Sequence, residues 1–143
     1  MPHKGFLLAP HLPSNSTMLV SFQQTVTRAQ FTDGGATAGT FSLNLSIPAG
    51  AVFAQALISS ITGFTGDTSA VITIGDGTDV DRYNTGTPNV FVTASQGVSA
   101  GAPSGTAWHT AAITPVLTIT SAADFTNVTA GTLTITLFYY GTV

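Results

Sequence analysis

The stretch TLTITL, residues 132–137, sets Leu133, Ile135 and Leu137 at alternate positions, with Thr132, Thr134 and Thr136 between them. A period of two belongs to a β-strand, whose successive side chains point to opposite faces. Such a segment buries one face and leaves the other to hydroxyls. The same alternation runs through TFSLNLSI, where Phe41, Leu43, Leu45 and Ile47 oppose Ser42, Asn44 and Ser46. In SAVITIGDG, Ala70, Ile72 and Ile74 oppose Val71, Thr73 and Gly75. Further strands are expected in TMLVSFQQTVTRAQF, NVFVTA and AAITPVLTITSA. AVFAQALISSITGF is more continuously apolar, as in a strand covered on both sides or bent between two sheets.

The separators, among them TDGGATAG, GFTGDTS, NTGTPN and SQGVSAGAPSG, are built from Gly, Pro, Asn, Asp and Ser. Glycine supplies positive φ there, and Asx side chains bond their own backbone. No window of about 11 residues keeps a helical period without glycine or β-branched interruption. The expected fold is all-β: one β-sandwich or jelly-roll-like domain over residues 17–143, with about eight antiparallel strands. Residues 1–16 read instead as an extended N-terminal arm, because Pro2, Pro10 and Pro13 remove backbone donors. Such an arm is either a disordered terminus or, given the apolar Phe6, Leu7 and Leu8, a segment that docks on a neighbouring subunit. The four-residue run FLLA is too short for the apolar core of a signal peptide, about 7–15 residues.

Charge limits what such a sandwich does. Charged residues make up 6% of the chain, against roughly 25% in an average soluble domain. Its surface is therefore mostly neutral hydroxyls, amides and small side chains. These are cheaper to re-pair across an interface than ions, which suits a subunit covered by neighbours better than a free Thr-rich domain. Three Lys and Arg residues are too few for a phosphate track, so no nucleic-acid partner is expected. Without cysteine there is neither a disulfide nor a thiolate ligand. No apolar run approaches the roughly 18 residues of a spanning helix, and no membrane partner is expected.

The chain holds six Asp and no Glu. IGDGTDVDRYN, residues 74–84, gathers Asp76, Asp79, Asp81 and Arg82. Alternating carboxylates and carbonyls are the ligands calcium takes, so Asp76, Asp79 and Asp81 are the candidate metal ligands. The EF-hand order and a closing bidentate Glu are missing, and Asp76-Gly77 is a strong turn dipeptide. The expectation is a polar turn with no cofactor, in which Arg82 pairs with a local carboxylate or with one on a neighbour. His3, His11 and His109 lack metal-ligand spacing, and no Gly-x-Ser-x-Gly or phosphate loop occurs. Catalysis is not expected. Trp108, at the end of the long irregular stretch SQGVSAGAPSGTAWH, either closes one end of the sandwich or anchors a contact with another chain.

The segment IPAGAVFAQALISSITGFTGDTSAVITIGDGTDVDRYNTGT resembles a pattern in structural proteins of tailed bacteriophages. PVLTITSAADFTNVTAGTLTITLFYYGTV is similar to the closing hairpin of the same type, so the resemblance spans roughly residues 40–143. It implies a virion component, foremost a head decoration or cement protein on the capsid surface. Its partners would be the major capsid protein and further copies of itself, as a dimer or trimer. The same resemblance admits a tail or head–tail adaptor subunit. A function of another class, also compatible with the composition, is a carbohydrate-binding β-sandwich carrying calcium at Asp76, Asp79 and Asp81.

Overall fold

The computed structural model describes residues 17–91 and 98–142. Its strands are β1 (Thr17–Thr27), β2 (Thr32–Asp33), β3 (Ala38–Ser42), β4 (Val52–Thr65), β5 (Ala70–Gly75), β6 (Val98–Ser99), β7 (Val116–Ser121) and β8 (Ala130–Thr142). Two single 3-10 turns, Arg28–Gln30 and Phe125–Asn127, are the helical elements among the described residues. The strands form two antiparallel sheets, ordered β1-β8-β4-β6 and β2-β3-β7-β5. The expected all-β sandwich is the observed fold.

Residues 88–90 run along the free edge of β5: Ile72 N–H donates to the Pro88 carbonyl and Val90 N–H to the Ala70 carbonyl, each at 3.0 Å. With that segment counted, the chain visits the sheets in the order of a double Greek key, the jelly roll. β2 is an added two-residue edge on β3.

Threonine alternation sets the faces as expected. Leu133, Ile135 and Leu137 of β8, Ile72 and Ile74 of β5, and Leu117 and Ile119 of β7 are buried in one core between the sheets. β1 pairs with β8 in unbroken register from Thr17↔Thr142 to Thr27↔Thr132. β4 explains its near-continuous apolar sequence differently. Its register against β8 shifts three times, and Ser60 adopts a positive φ of 49°. Each irregularity resets the alternation, so Phe53, Ala56, Ile58, Ile61 and Phe64 all point inward despite uneven spacing. The strand is bent, not covered on both sides.

Two expectations change. NVFVTA is not a strand over the described part of its length. Asn89 makes a single bridge to Val71, and the Val90 carbonyl then accepts from Phe64 N–H at 2.8 Å, turning the chain toward β4. Residues 92–94 of that stretch lie outside the described residues. The loop expected before Trp108 contains β6, which pairs with Leu57 and Ile58 through only two residues.

Arg28 locks the two 3-10 turns together. Its guanidinium lies 4.2 Å from the Phe125 ring centroid and donates to the carbonyls of Phe125 and Val128. The Phe125 carbonyl also accepts from Val128 N–H at 3.0 Å, so Arg28 braces the end of a turn that has already closed on itself.

Candidate interaction surface

The Asp-rich loop leaves β5 at Gly75 and folds back on itself. A side chain at Gly75 would collide with the Asp79 carbonyl and the Val80 backbone, so the tight return requires glycine. One oxygen of Asp76 accepts from the N–H groups of Thr78 (2.9 Å) and Asp79 (2.8 Å). The other accepts from Arg82 at 2.5 Å, and the Asp76 side chain is only 8% exposed. Burial works to raise the Asp76 pKa, but these donors outweigh it and hold the carboxyl at about 2.

Arg82 also donates through Nε to the Thr106 carbonyl at 3.0 Å, while its own carbonyl accepts from Ser104 and Gly105. Within the chain, Arg82 makes the local pair with Asp76. Asp79 accepts from Asp81 N–H at 3.4 Å, and both residues are exposed. The carboxylates of Asp76 and Asp79 thus accept from backbone N–H groups of their own loop. Among the described residues, no three His, Cys, Asp or Glu side chains gather to hold a metal ion.

Below Arg82 lies a buried aromatic joint that the sequence did not announce. Tyr83 stacks on Phe53 with ring centroids 4.5 Å apart, and its hydroxyl meets His109 Nε2 at 3.0 Å. Burial pushes the Tyr83 phenol up to about 12. Burial, aided by the positive charge of Arg82, pushes the His109 pKa below the usual histidine value. Asn84 beside them is buried and accepts from Ile74 N–H at 2.7 Å. The joint ties the Asp-rich loop to residues 107–109, which run antiparallel to residues 51–53 through Phe53 N–H to Ala107 and His109 N–H to Ala51. Trp108 does not close the sandwich, since it is 53% exposed. With Arg82, Thr106 and Thr110 it borders a shallow pocket of about 320 Å³.

Trp108 belongs to a larger feature. It bridges Val52, Val52 pairs with Tyr140, and Tyr140 pairs with Leu19. Residues directly opposite in antiparallel pairs share a face, so these four form one row across the outside of the first sheet. Their exposures are 53% for Leu19, 46% for Tyr140, 39% for Val52 and 53% for Trp108. Farther along the same face the rows are uncharged: Phe138 and Leu57 stand half-buried there among Ser, Thr and Gln. Gln23 donates to Thr136 at 3.2 Å, Thr25 and Thr134 share a hydrogen bond of 3.0 Å, and Gln55 donates to Ser99 at 3.4 Å.

The second sheet carries an equivalent threonine row, Thr32–Thr40–Thr118–Thr73. No strand of the first sheet contains a charged residue, and the second has only Asp33, which caps its own turn through Gly35 N–H. Of the expected interface residues, the structure brings Arg82 and Trp108 to one pocket. Phe6, Leu7 and Leu8, with the whole arm 1–16, lie outside the described residues. Sequence alternation had marked Leu19, Val52 and Tyr140 only as strand residues. Their union into a row depends on register, which requires the pairing of three strands.

The chain matches no protein-family model and no curated protein. Among solved structures it is similar in fold to a chain of the cyanophage Pam1 capsid asymmetric unit. The TM-score is 0.50 at 16% identity, over 96% of this chain and 94% of that one.

Proposed function

We propose that this chain is a non-enzymatic structural subunit of a bacteriophage virion, which binds the outer capsid lattice and stabilises it. The observation that carries this reading is the absence of charge from the outer face of the first sheet, where an apolar row continues past Phe138 and Leu57 into Thr, Gln and Ser. Such a face loses little on desolvation and can be covered by subunits on a symmetric lattice. The described ionisable groups that would feed chemistry are instead used by the fold: Asp76 and Arg82 by the loop, Arg28 by the 3-10 turns, Tyr83 and His109 by each other. The fold likeness to a chain of a phage capsid, extending over nearly the full length of both chains, supports the same reading, as does the motif resemblance at residues 74–83.

The test is to add the purified chain to expanded capsids assembled from the major capsid protein of the same phage. The expected result is co-sedimentation with the capsids and a rise in their melting temperature. Co-sedimentation with tails alone would move the subunit to the tail or the head–tail junction. A chain that ignores both and binds glycans in a calcium-dependent manner would overturn the reading.

A further inference from the structure

We propose that the row Leu19–Tyr140–Val52–Trp108 is the docking site for Phe6, Leu7 and Leu8 of a second copy of this chain, so that two copies exchange N-terminal arms. The exchange is a property of the chain alone in solution and does not depend on the capsid role.

The row holds four of the six large apolar side chains that stand exposed among the described residues. Exposed apolar residues scattered singly need no partner, whereas a contiguous set rimmed by polar residues marks a contact. It spans three strand spacings, about 14 Å, and the next row on the same face, Ser21–Phe138–Gln55, sets one half-buried ring between two polar side chains. A strip of that length fits a short extended apolar segment. Phe6-Leu7-Leu8 is such a segment, about 10 Å long when extended. Residues 5–16 contain no Asp, Glu, Lys or Arg, so docking them would strip no ion of water.

The point where the chain leaves the sheet decides whose row is filled. β1 starts at Thr17, two residues from Leu19, so residues 1–16 depart from the end of the sheet that bears the row. Between Leu8 and Thr17 lie the eight residues APHLPSNS. Pro10 and Pro13 favour extended backbone, at about 3.1 Å per residue. A span of roughly 25 Å carries the apolar triplet outward to a neighbour. Filling its own row would require that prolyl stretch to reverse within eight residues. Two copies that each receive the other's arm form a closed, isologous pair.

Trp108 is the chain's only tryptophan and reports on the row directly. Two full-length variants separate the parts: an arm variant, Phe6→Ser with Leu7→Ser and Leu8→Ser, and a row variant, Leu19→Ser, at an exposed site. The wild-type chain is expected to be a dimer by light scattering, with blue-shifted Trp108 emission. Each variant alone should be monomeric, and the arm variant's emission red-shifted. Mixing them leaves one intact arm and one intact row, so a heterodimer should form and the arm variant's Trp108 emission shift back to the blue. A peptide of residues 1–16 should bind the arm variant at least about tenfold more tightly than the arm variant that also carries Leu19→Ser. Monomers that persist on mixing would overturn the proposal. So would an arm variant that remains a dimer, or a monomeric wild-type chain whose Trp108 is shielded by its own arm.

Discussion

Asp76 commits one carboxylate oxygen to Thr78 and Asp79 N–H and the other to Arg82, and its titration should be visible in the stability of the whole fold. The carboxyl sits at about 2 in the folded chain against an ordinary value of 3.8. Between those values the unfolded chain binds more protons than the folded one, so stability rises with pH across that window. The contribution of Asp76 is complete above pH 3.8 and is lost as pH falls toward 2. Asp67, held down by Ala123 and Thr68 N–H, and Asp124, held down by Thr126, act in the same direction. Asp76→Asn should therefore reduce, without abolishing, the fall in urea midpoint between pH 5 and pH 2. Tyr83→Phe keeps the stack on Phe53 but removes the hydroxyl from His109. It leaves a buried ring nitrogen without that partner, at an expected cost of about 1–2 kcal/mol by chemical denaturation at pH 7.

At the scale of the strand, period-two alternation is a reliable guide where pairing is regular and a poor one where it is not. β5 and β8 follow their sequence pattern residue by residue, because straight antiparallel pairing preserves the alternation. β4 breaks it at each register shift, which is why its sequence fits both a fully covered strand and a bent one. β6 has only Val98 and Ser99 and no periodicity to detect, while residues 88–90 pair too briefly to look like a strand. The Asp-rich turn was legible in its residue types, since Asp-Gly and Asx chemistry act locally. Tyr83 with His109 was not, because the pair is 26 positions apart in sequence and meets only through the fold. One strand residue runs against its surroundings: Thr73, in the threonine row of the second sheet, has a buried Oγ1 with no hydrogen-bond partner among the described residues. Thr73→Val replaces that hydroxyl with a methyl of similar size and removes an uncompensated desolvation cost. Thermal and urea melts should show a gain of about 1 kcal/mol, whereas the same change at Thr134, bonded to Thr25, should bring none.

For the molecule as a whole, so few charges mean that the proposed assembly should be insensitive to salt. Steering and pairing by ions weaken as the Debye length contracts from about 10 Å at 0.1 M to 3 Å at 1 M. The face proposed for contact presents Leu19, Tyr140, Val52 and Trp108 beside Thr and Gln, and both described arginines donate to carbonyls within their own chain. Self-association and capsid binding should therefore change by less than about threefold when sodium chloride is raised from about 0.05 to 0.5 M. Sulfate, which is excluded from protein surfaces and favours apolar burial, should strengthen both. Tyr140→Lys tests the same point from the side of the protein. Position 140 is exposed, so the monomer should keep its melting temperature to within a few degrees, yet docking an apolar segment on the row would now strip an ammonium of water. The expected loss is at least tenfold in dimer affinity, by sedimentation equilibrium, with no recovery at high salt. Steep weakening of the wild-type dimer by sodium chloride would instead place Lys4 or the exposed Asp79 and Asp81 in the contact, and the uncharged row would lose its role.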